Sequence, residues 1–344
     1  MQRLAAWTPD QSFQLISVID AHTEGEPLRV ITRGFPELAG RTILEKRRDC
    51  QQRFDAYRRT LMAEPRGHSD MYGVIVTPPA TADSHFGVVF LHNEGYSTMC
   101  GHGIIGVVTV LVETGALDAA EGANWYGIDT PAGPVCAQAT VRDNRVTRVS
   151  FRNVPSFADT EVRTVEIPGI GRVPYQIAFG GAYYAFVEAA DVGLRCEPAY
   201  TARLIEMGRL ISATIPKQHQ VVHPFEPDLS FLYGVIFTGP GAAPDAHSRH
   251  VCVFADGQVD RSPTGTGVSA RIALLHAKGE VALQQALKIE SIIGSSFQVA
   301  AVEQVTFGPH QSVVPEVSGT AFLTARCDFL IDPRDPLREG FLLK

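Results

Sequence analysis

Cys100-Gly101-His102-Gly103 and Thr264-Gly265-Thr266-Gly267 are two stretches of this 344-residue sequence whose residue types could do chemistry together. Each sets a small polar side chain ahead of glycines and then enters an apolar run, from Ile104 in one copy and Val268 to Lys278 in the other. Each run closes on a glycine, Gly115 or Gly279, fifteen residues after the polar residue. Even the approach repeats, since Val89-Phe90 and Val253-Phe254 stand ten or eleven positions upstream. A polar side chain at a helix start sits among free N–H groups and the positive end of the helix dipole, a setting that attracts an anion. Two such starts facing one another would hold a small carboxylate between two side chains.

The two starts are not chemically equivalent. A thiol at a helix N-terminus can have its pKa drawn from about 8.5 into the range of roughly 3.5 to 7.5, so Cys100 is expected to supply a thiolate that acts as nucleophile or proton acceptor. The Thr264 hydroxyl is far too weak an acid to ionise at neutral pH. His102 lies two residues beyond Cys100, and positions i and i+2 on a helix do not face each other. It therefore reads as a ligand-contacting group rather than as a base partner for the thiol. The plain alternatives are structural: a buried cysteine, a packed histidine, an N-cap threonine. His85, His92 and His102 lack a completing carboxylate, so no metal is expected. Gly265-Thr266-Gly267 lacks the lysine and full glycine pattern of a phosphate loop.

The elements that must position these residues can be traced along the chain. Gln14 to Ala21 and Leu28 to Thr32 read as paired strands, followed by a charged helical region from Ala39 to Met62 with Leu44, Phe54, Tyr57 and Leu61 as candidate buried positions. Met71 to Thr77 and Phe86 to His92 read as strands leading into the first motif. Ile104 to Leu111 leaves almost no polar face and predicts a helix buried all round, with Gly115 as its left-handed cap. Asp129 to Gly133 reads as a turn before alternating strands from Val135 to Phe151, and Asn153 to Asp159 as a crossing between halves. Gly180-Gly181 between strands predicts a close backbone approach. Tyr183 and Tyr184 read as core or pocket wall. A helix from Tyr200 to Ala213, strands near Phe231 to Phe237 and Val251 to Phe254, the second motif helix and late strands at Ala321 to Ala325 and Phe329 to Ile331 complete the pattern. Many short strands, few helices and an internal echo predict an α+β protein of two similar halves.

Composition bounds the partners. With 45% hydrophobic and 19% charged residues the chain reads as globular, and its length allows about two domains. A formal net charge of −7, with no basic run longer than Lys46-Arg47-Arg48, argues against nucleic acid or an anionic membrane. No apolar run approaches the roughly 18 residues of a membrane span, and Asp10 interrupts any leader-like segment. Six cysteines scattered singly, without a CxxC pair, fit a reducing cytoplasm.

Met99-Cys100-Gly101-His102-Gly103 and Asp260-Arg261-Ser262-Pro263-Thr264-Gly265-Thr266-Gly267 resemble the two signature motifs of the proline racemase family. Asp20 to Glu26, Asp129 to Gly133, Gly180 to Tyr184 and Val251 to Gly257 add matches across nearly the whole chain. The resemblance implies a diaminopimelate-epimerase-like α+β fold with the active site in the cleft between two halves. The first half is expected at 1–153 plus about 322–344, and the second at 154–321. It implies a small imino acid as partner, with Gly101, His102, Gly265 and Thr266 on the substrate carboxylate and Asp260 on the ring nitrogen. Tyr72 and Phe254 fall at pocket-wall positions, and a monomer or homodimer fits. Racemases and hydroxyproline epimerases of the family carry a cysteine in both motifs. Thr264 in the second is the pattern of its trans-3-hydroxy-L-proline dehydratases, which implies Cys100 as single Cα base, Thr264 as its counterpart and no cofactor. The alternatives are a proline racemase or 4-hydroxyproline 2-epimerase with an unusual second acid, or a catalytically silent imino-acid-binding protein.

Overall fold

The computed structural model describes residues 7–343. In the first half, β1 (Gln14–Thr23) and β2 (Glu26–Arg33) precede α1 (Ile43–Arg53) and α2 (Asp55–Met62). Next come β3 (Tyr72–Thr77), β4 (Phe86–His92), β5 (Gly95–Ser97), α3 (Gly101–Glu113), β6 (Gly122–Thr130), β7 (Gly133–Arg142) and β8 (Arg145–Arg152). The chain then continues through β9 (Phe157–Ile167), β10 (Gly171–Phe179), β11 (Tyr183–Glu188), α4 (Thr201–Gln218), β12 (Leu232–Gly239), β13 (Ser248–Phe254) and β14 (Gln258–Val259). It closes with α5 (Gly265–Ala277), β15 (Leu287–Glu290), β16 (Ser296–Phe307), β17 (His310–Gly319) and β18 (Ala321–Ile331).

The internal echo is a repeat of topology. β1–β2 pair antiparallel, β2–β3 parallel, β3–β4 antiparallel, β4–β6 parallel, and β6–β7–β8 antiparallel. The series β10, β11, β12, β13, β15, β16, β17 repeats those pairings in the same order. Parallel neighbours need a long crossover. Helices supply it at matching places: α1–α2 and α4 between the first parallel pair of each half, α3 and α5 between the second. β8 pairs with β17, Phe151 opposite Val317, and joins the two sheets. β18 returns to lie beside β1.

Each sheet wraps one helix. Residues 101 to 110 of α3 are buried, as are most of residues 265 to 275 of α5. Ile104, Val107 and Val108 are wholly buried, each worth roughly 1.5–3 kcal/mol of apolar transfer. β4 is buried along its length because α3 covers one face of the sheet and α1 and α2 the other. Both central helices end on a left-handed glycine, Gly115 and Gly279.

Local departures from the sequence reading have local causes. The helical region from Ala39 breaks at Phe54 into α1 and α2, where Phe54 and Tyr57 are only half-buried. Asp129 and Thr130 end a strand rather than forming the turn; β6 escaped notice because its buried positions are confined to its last residues. The two late strands are one, β18, continuous through an exposed stretch. Among the described residues no helix is long and apolar enough to cross a membrane.

Candidate active site

The two central helices meet end to end. A Cβ placed on Gly101 would lie 2.5 Å from the Gly265 Cα, and one placed on Gly265 would lie 2.5 Å from the Gly101 Cα. Only glycine at both first helical positions lets the backbones touch. The unpaired N–H groups that every α-helix carries in its first turn are thereby gathered at one point. Gly180 makes the approach expected of it, packing against the Thr266 carbonyl and the Ala270 N–H of α5.

Around this junction lies a cavity of about 20 Å³, lined by Tyr72, Met99, Cys100, Gly101, His102, Tyr184, Tyr233, Phe254, Asp260, Thr264, Gly265 and Thr266. All nine residues singled out in the sequence are brought together. The space lies far below the usual range of about 300–1,000 Å³ for ligand sites, so the site as it stands is shut around its own side chains.

Cys100 is the N-cap of α3, in extended conformation at φ −147° and ψ 109°, and its sulfur accepts the Gly103 N–H at 3.2 Å. His102 does face it: Sγ lies 3.2 Å from His102 Nδ1. The i, i+2 argument fails here because Cys100 stands outside the helix, so its side chain does not follow helical spacing. Thr23 Oγ1 donates to the His102 carbonyl at 2.8 Å and holds the first turn from behind.

The acidity expected of Cys100 also runs the other way. Full burial pushes the thiol up, and nearby Asp260 and Glu26 add to this, while the Tyr72 hydroxyl and the Gly103 N–H favour the thiolate without prevailing. Burial pulls His102 down, against Asp260 and the Pro27 carbonyl, which favour its protonation. The closed site therefore holds a neutral thiol against a neutral imidazole.

Thr264 occupies the matching place on α5 but not the matching conformation. It sits at φ 68° and ψ 99° and caps nothing, a backbone setting unusual for a β-branched residue. Its buried hydroxyl has no well-aligned hydrogen bond, lying beside the Cys252 thiol, which burial pushes up. The N-cap alternative for Thr264 does not hold. Its own N–H donates to Ser262 Oγ at 3.1 Å, and the Ser262 N–H donates to Asp260 Oδ1 at 2.8 Å, which fixes the loop that presents Asp260. Behind it, the fully buried Glu26 accepts the Arg261 N–H at 2.7 Å. Burial, then Asp260, pushes Glu26 well above the usual carboxylate range, so it stands protonated beside Asp260.

The walls are aromatic. Tyr233 stacks on Phe254, centroids 5.5 Å apart, and both pack edge-on against His92. Burial, with Arg58 and Arg47 near, pulls His92 down to about 3 and keeps it uncharged. Tyr184, weighed in sequence as core or wall, is a wall, its hydroxyl 2.7 Å from Thr266 Oγ1. Tyr233 and Ser97 were missed, for they lie in ordinary strands with no motif around them. No cluster of histidine, cysteine and carboxylate able to hold a metal occurs among the described residues.

Two pseudo-symmetric α+β halves with a cavity where their central helices meet define a diaminopimelate-epimerase-like protein. Within that class, the chain matches the proline racemase family over residues 18–342 and belongs to it. It is 49% identical over 341 residues to a trans-3-hydroxy-L-proline dehydratase of Colwellia psychrerythraea, covering 98% of this chain and 96% of that one. A 4-hydroxyproline 2-epimerase of Streptosporangium roseum is 43% identical over 331 residues, covering 96% of this chain and 99% of that one. A solved hydroxyproline epimerase from Agrobacterium vitis, with trans-4-hydroxy-L-proline bound, is similar at a TM-score of 0.91 and 31% identity, with 96% of each chain covered.

Proposed function

We propose that this protein is a hydro-lyase that dehydrates trans-3-hydroxy-L-proline to Δ1-pyrroline-2-carboxylate, with Cys100 removing the Cα proton. The observation that carries this reading is the inequality of the two helix starts. Cys100 has imidazole and phenol beside its sulfur, whereas the Thr264 hydroxyl lies beside only the Cys252 thiol, which burial pushes up, and makes no well-aligned hydrogen bond. Racemisation needs an acid–base group on each face of Cα, whereas syn elimination needs acid–base chemistry on one face only. In trans-3-hydroxy-L-proline the Cα hydrogen and the hydroxyl share a ring face, so loss of water is a syn elimination served from the Cys100 side.

The base forms when the thiol proton passes to His102 Nδ1, 3.2 Å away. The N–H groups of Gly101, His102, Gly265 and Thr266 receive the substrate carboxylate and the charge that develops on it. A well-placed donor is worth about 3 kcal/mol to such a transition state, and positioned acid–base catalysis about 10²- to 10⁴-fold. Asp260 pairs with the ring nitrogen, while Tyr72 and Phe254 bound the ring. The enamine released tautomerises to the imine, and no cofactor enters. Because the lining is almost wholly buried, substrate enters when the halves, 1–153 with about 322–344 and 154–321, part along the cleft. Six unpaired thiols favour a reducing cytoplasm, and a monomer or homodimer satisfies a cleft completed within one chain.

Purified protein is incubated with trans-3-hydroxy-L-proline, L-proline and 4-hydroxyprolines, and imine and chirality are read out. Imine from the 3-hydroxy substrate supports the reading. Solvent deuterium at Cα of inverted proline or 4-hydroxyproline, without imine, establishes the racemase or epimerase instead; binding without any product establishes an imino-acid-binding protein.

A further inference from the structure

Dehydration requires a second proton transfer, because hydroxide is a poor leaving group and the oxygen must be protonated as the C3–O bond breaks. Of the hydroxyls lining the cavity, Tyr72 is the one that both belongs to an organised chain and has its ring packed against the Cys100–His102 pair. Tyr72, at the start of β3, is buried and donates to Ser97 Oγ of β5. Ser97, wholly buried, in turn shares a hydrogen bond of 2.8 Å with the hydroxyl of Tyr233 on β12. The Tyr72 ring stands edge-on to His102, centroids 4.6 Å apart, which fixes it beside the Cys100–His102 pair. Three hydroxyls from three strands and both halves thus form a line that ends at the reacting face. A pocket wall alone would need none of them.

We propose that Tyr72 is the general acid that protonates the departing 3-hydroxyl, with Ser97 and Tyr233 as positioning residues that stabilise its phenolate; this rests on the dehydratase reading above. Cys100 sulfur takes the Cα proton, and the electron pair of that C–H bond forms the C2=C3 double bond. The C3–O pair leaves with oxygen, which takes the Tyr72 proton and departs as water. Ser97 then donates to the Tyr72 oxygen and Tyr233 to Ser97, reversing the line to face the new charge. The phenolate recovers its proton from the Cys100 thiol, restoring both groups with no net proton taken up. Burial pushes both Tyr72 and Cys100 up, so the phenol is a full donor at neutral pH and the return transfer is between groups shifted in the same direction. Tyr233 comes from the opposite half, so the line spans the cleft.

The test compares trans-3-hydroxy-L-proline with trans-3-fluoro-L-proline, whose fluoride leaves without a general acid. Tyr72→Phe is expected to lower turnover of the hydroxy substrate by about 10²- to 10⁴-fold and that of the fluoro substrate by less than about tenfold on the same scale. It is also expected to continue exchanging the Cα hydrogen of the hydroxy substrate with deuterium. Ser97→Ala, which leaves the ring packing intact, is expected to show the same selectivity in smaller degree and answers the question if Tyr72→Phe does not fold. Equal losses on both substrates, or an unchanged hydroxy-to-fluoro ratio, overturn the inference while wild-type dehydration leaves the parent reading standing. Wild-type protein that releases imine from neither substrate overturns both.

Discussion

The starts of α3 and α5 differ far more than their ends. Both helices close on a glycine at φ 73° and both are packed inside a sheet of the same pairing order. Cys100 enters its helix in ordinary extended conformation and caps it with sulfur, whereas Thr264 enters at φ 68° and caps nothing. A β-branched residue held there costs on the order of 1–3 kcal/mol. The repeat is therefore preserved where it gathers backbone N–H groups and relaxed where it handles protons. Strain is stored in the half that lacks the base.

Changes at these two starts act with graded force. Cys100→Ser is expected to abolish imine formation, at least about 10³-fold in kcat/KM, because a serine hydroxyl beside His102 is a far weaker acid; turnover that survives intact removes Cys100 as the base. Gly265→Ala drives a methyl into the Gly101 backbone, and a displacement near 1 Å at a reacting centre costs about 10²-fold. Activity within a few-fold of wild type would mean that the helix junction does not bind the carboxylate. Thr264→Cys supplies a thiol on the opposite face and is expected to introduce solvent deuterium at Cα with inversion, at about a tenfold cost in dehydration. Retention alone, by chiral chromatography and mass spectrometry, would show that the difference between racemisation and elimination does not lie in this side chain.

The smallest effect concerns Glu26, which meets the second start through the Arg261 N–H. Its pKa is raised in the folded state. Its contribution is thus fully present below the unfolded value of about 4.3 and is lost as pH rises through the folded one. Glu26→Gln keeps the neutral form at every pH. Its stability relative to wild type is expected to climb with pH between pH 5 and pH 8, by about 1.4 kcal/mol for each pH unit that lies below the folded pKa, read as a rising difference in melting temperature. A difference that is flat with pH would mean that Glu26 is ionised in the fold.

Cys100, Thr264 and their glycines were legible because a helix start is a local event: a polar residue, flanking glycines and a following apolar run are read within fifteen positions. The repeat of halves was legible for the same reason, twice over. His102 beside Cys100 was not, since whether a residue lies inside or just outside a helix changes which neighbours it meets, and that is set by the backbone at one position. Tyr233 and Ser97 were invisible, lying in strands whose local pattern is that of any buried sheet.

The sequence by itself determined the two polar helix starts, their chemical inequality and the family of the fold, all of which depend on residue type and short spacing. Only the tertiary structure decided how acidic the thiol is. The N-terminal N–H groups favour a thiolate in any helix, but the sheets that enclose Cys100 remove it from water and set Asp260 and Glu26 near it. Desolvation is a property of everything packed around a group, and no stretch of chain states it alone.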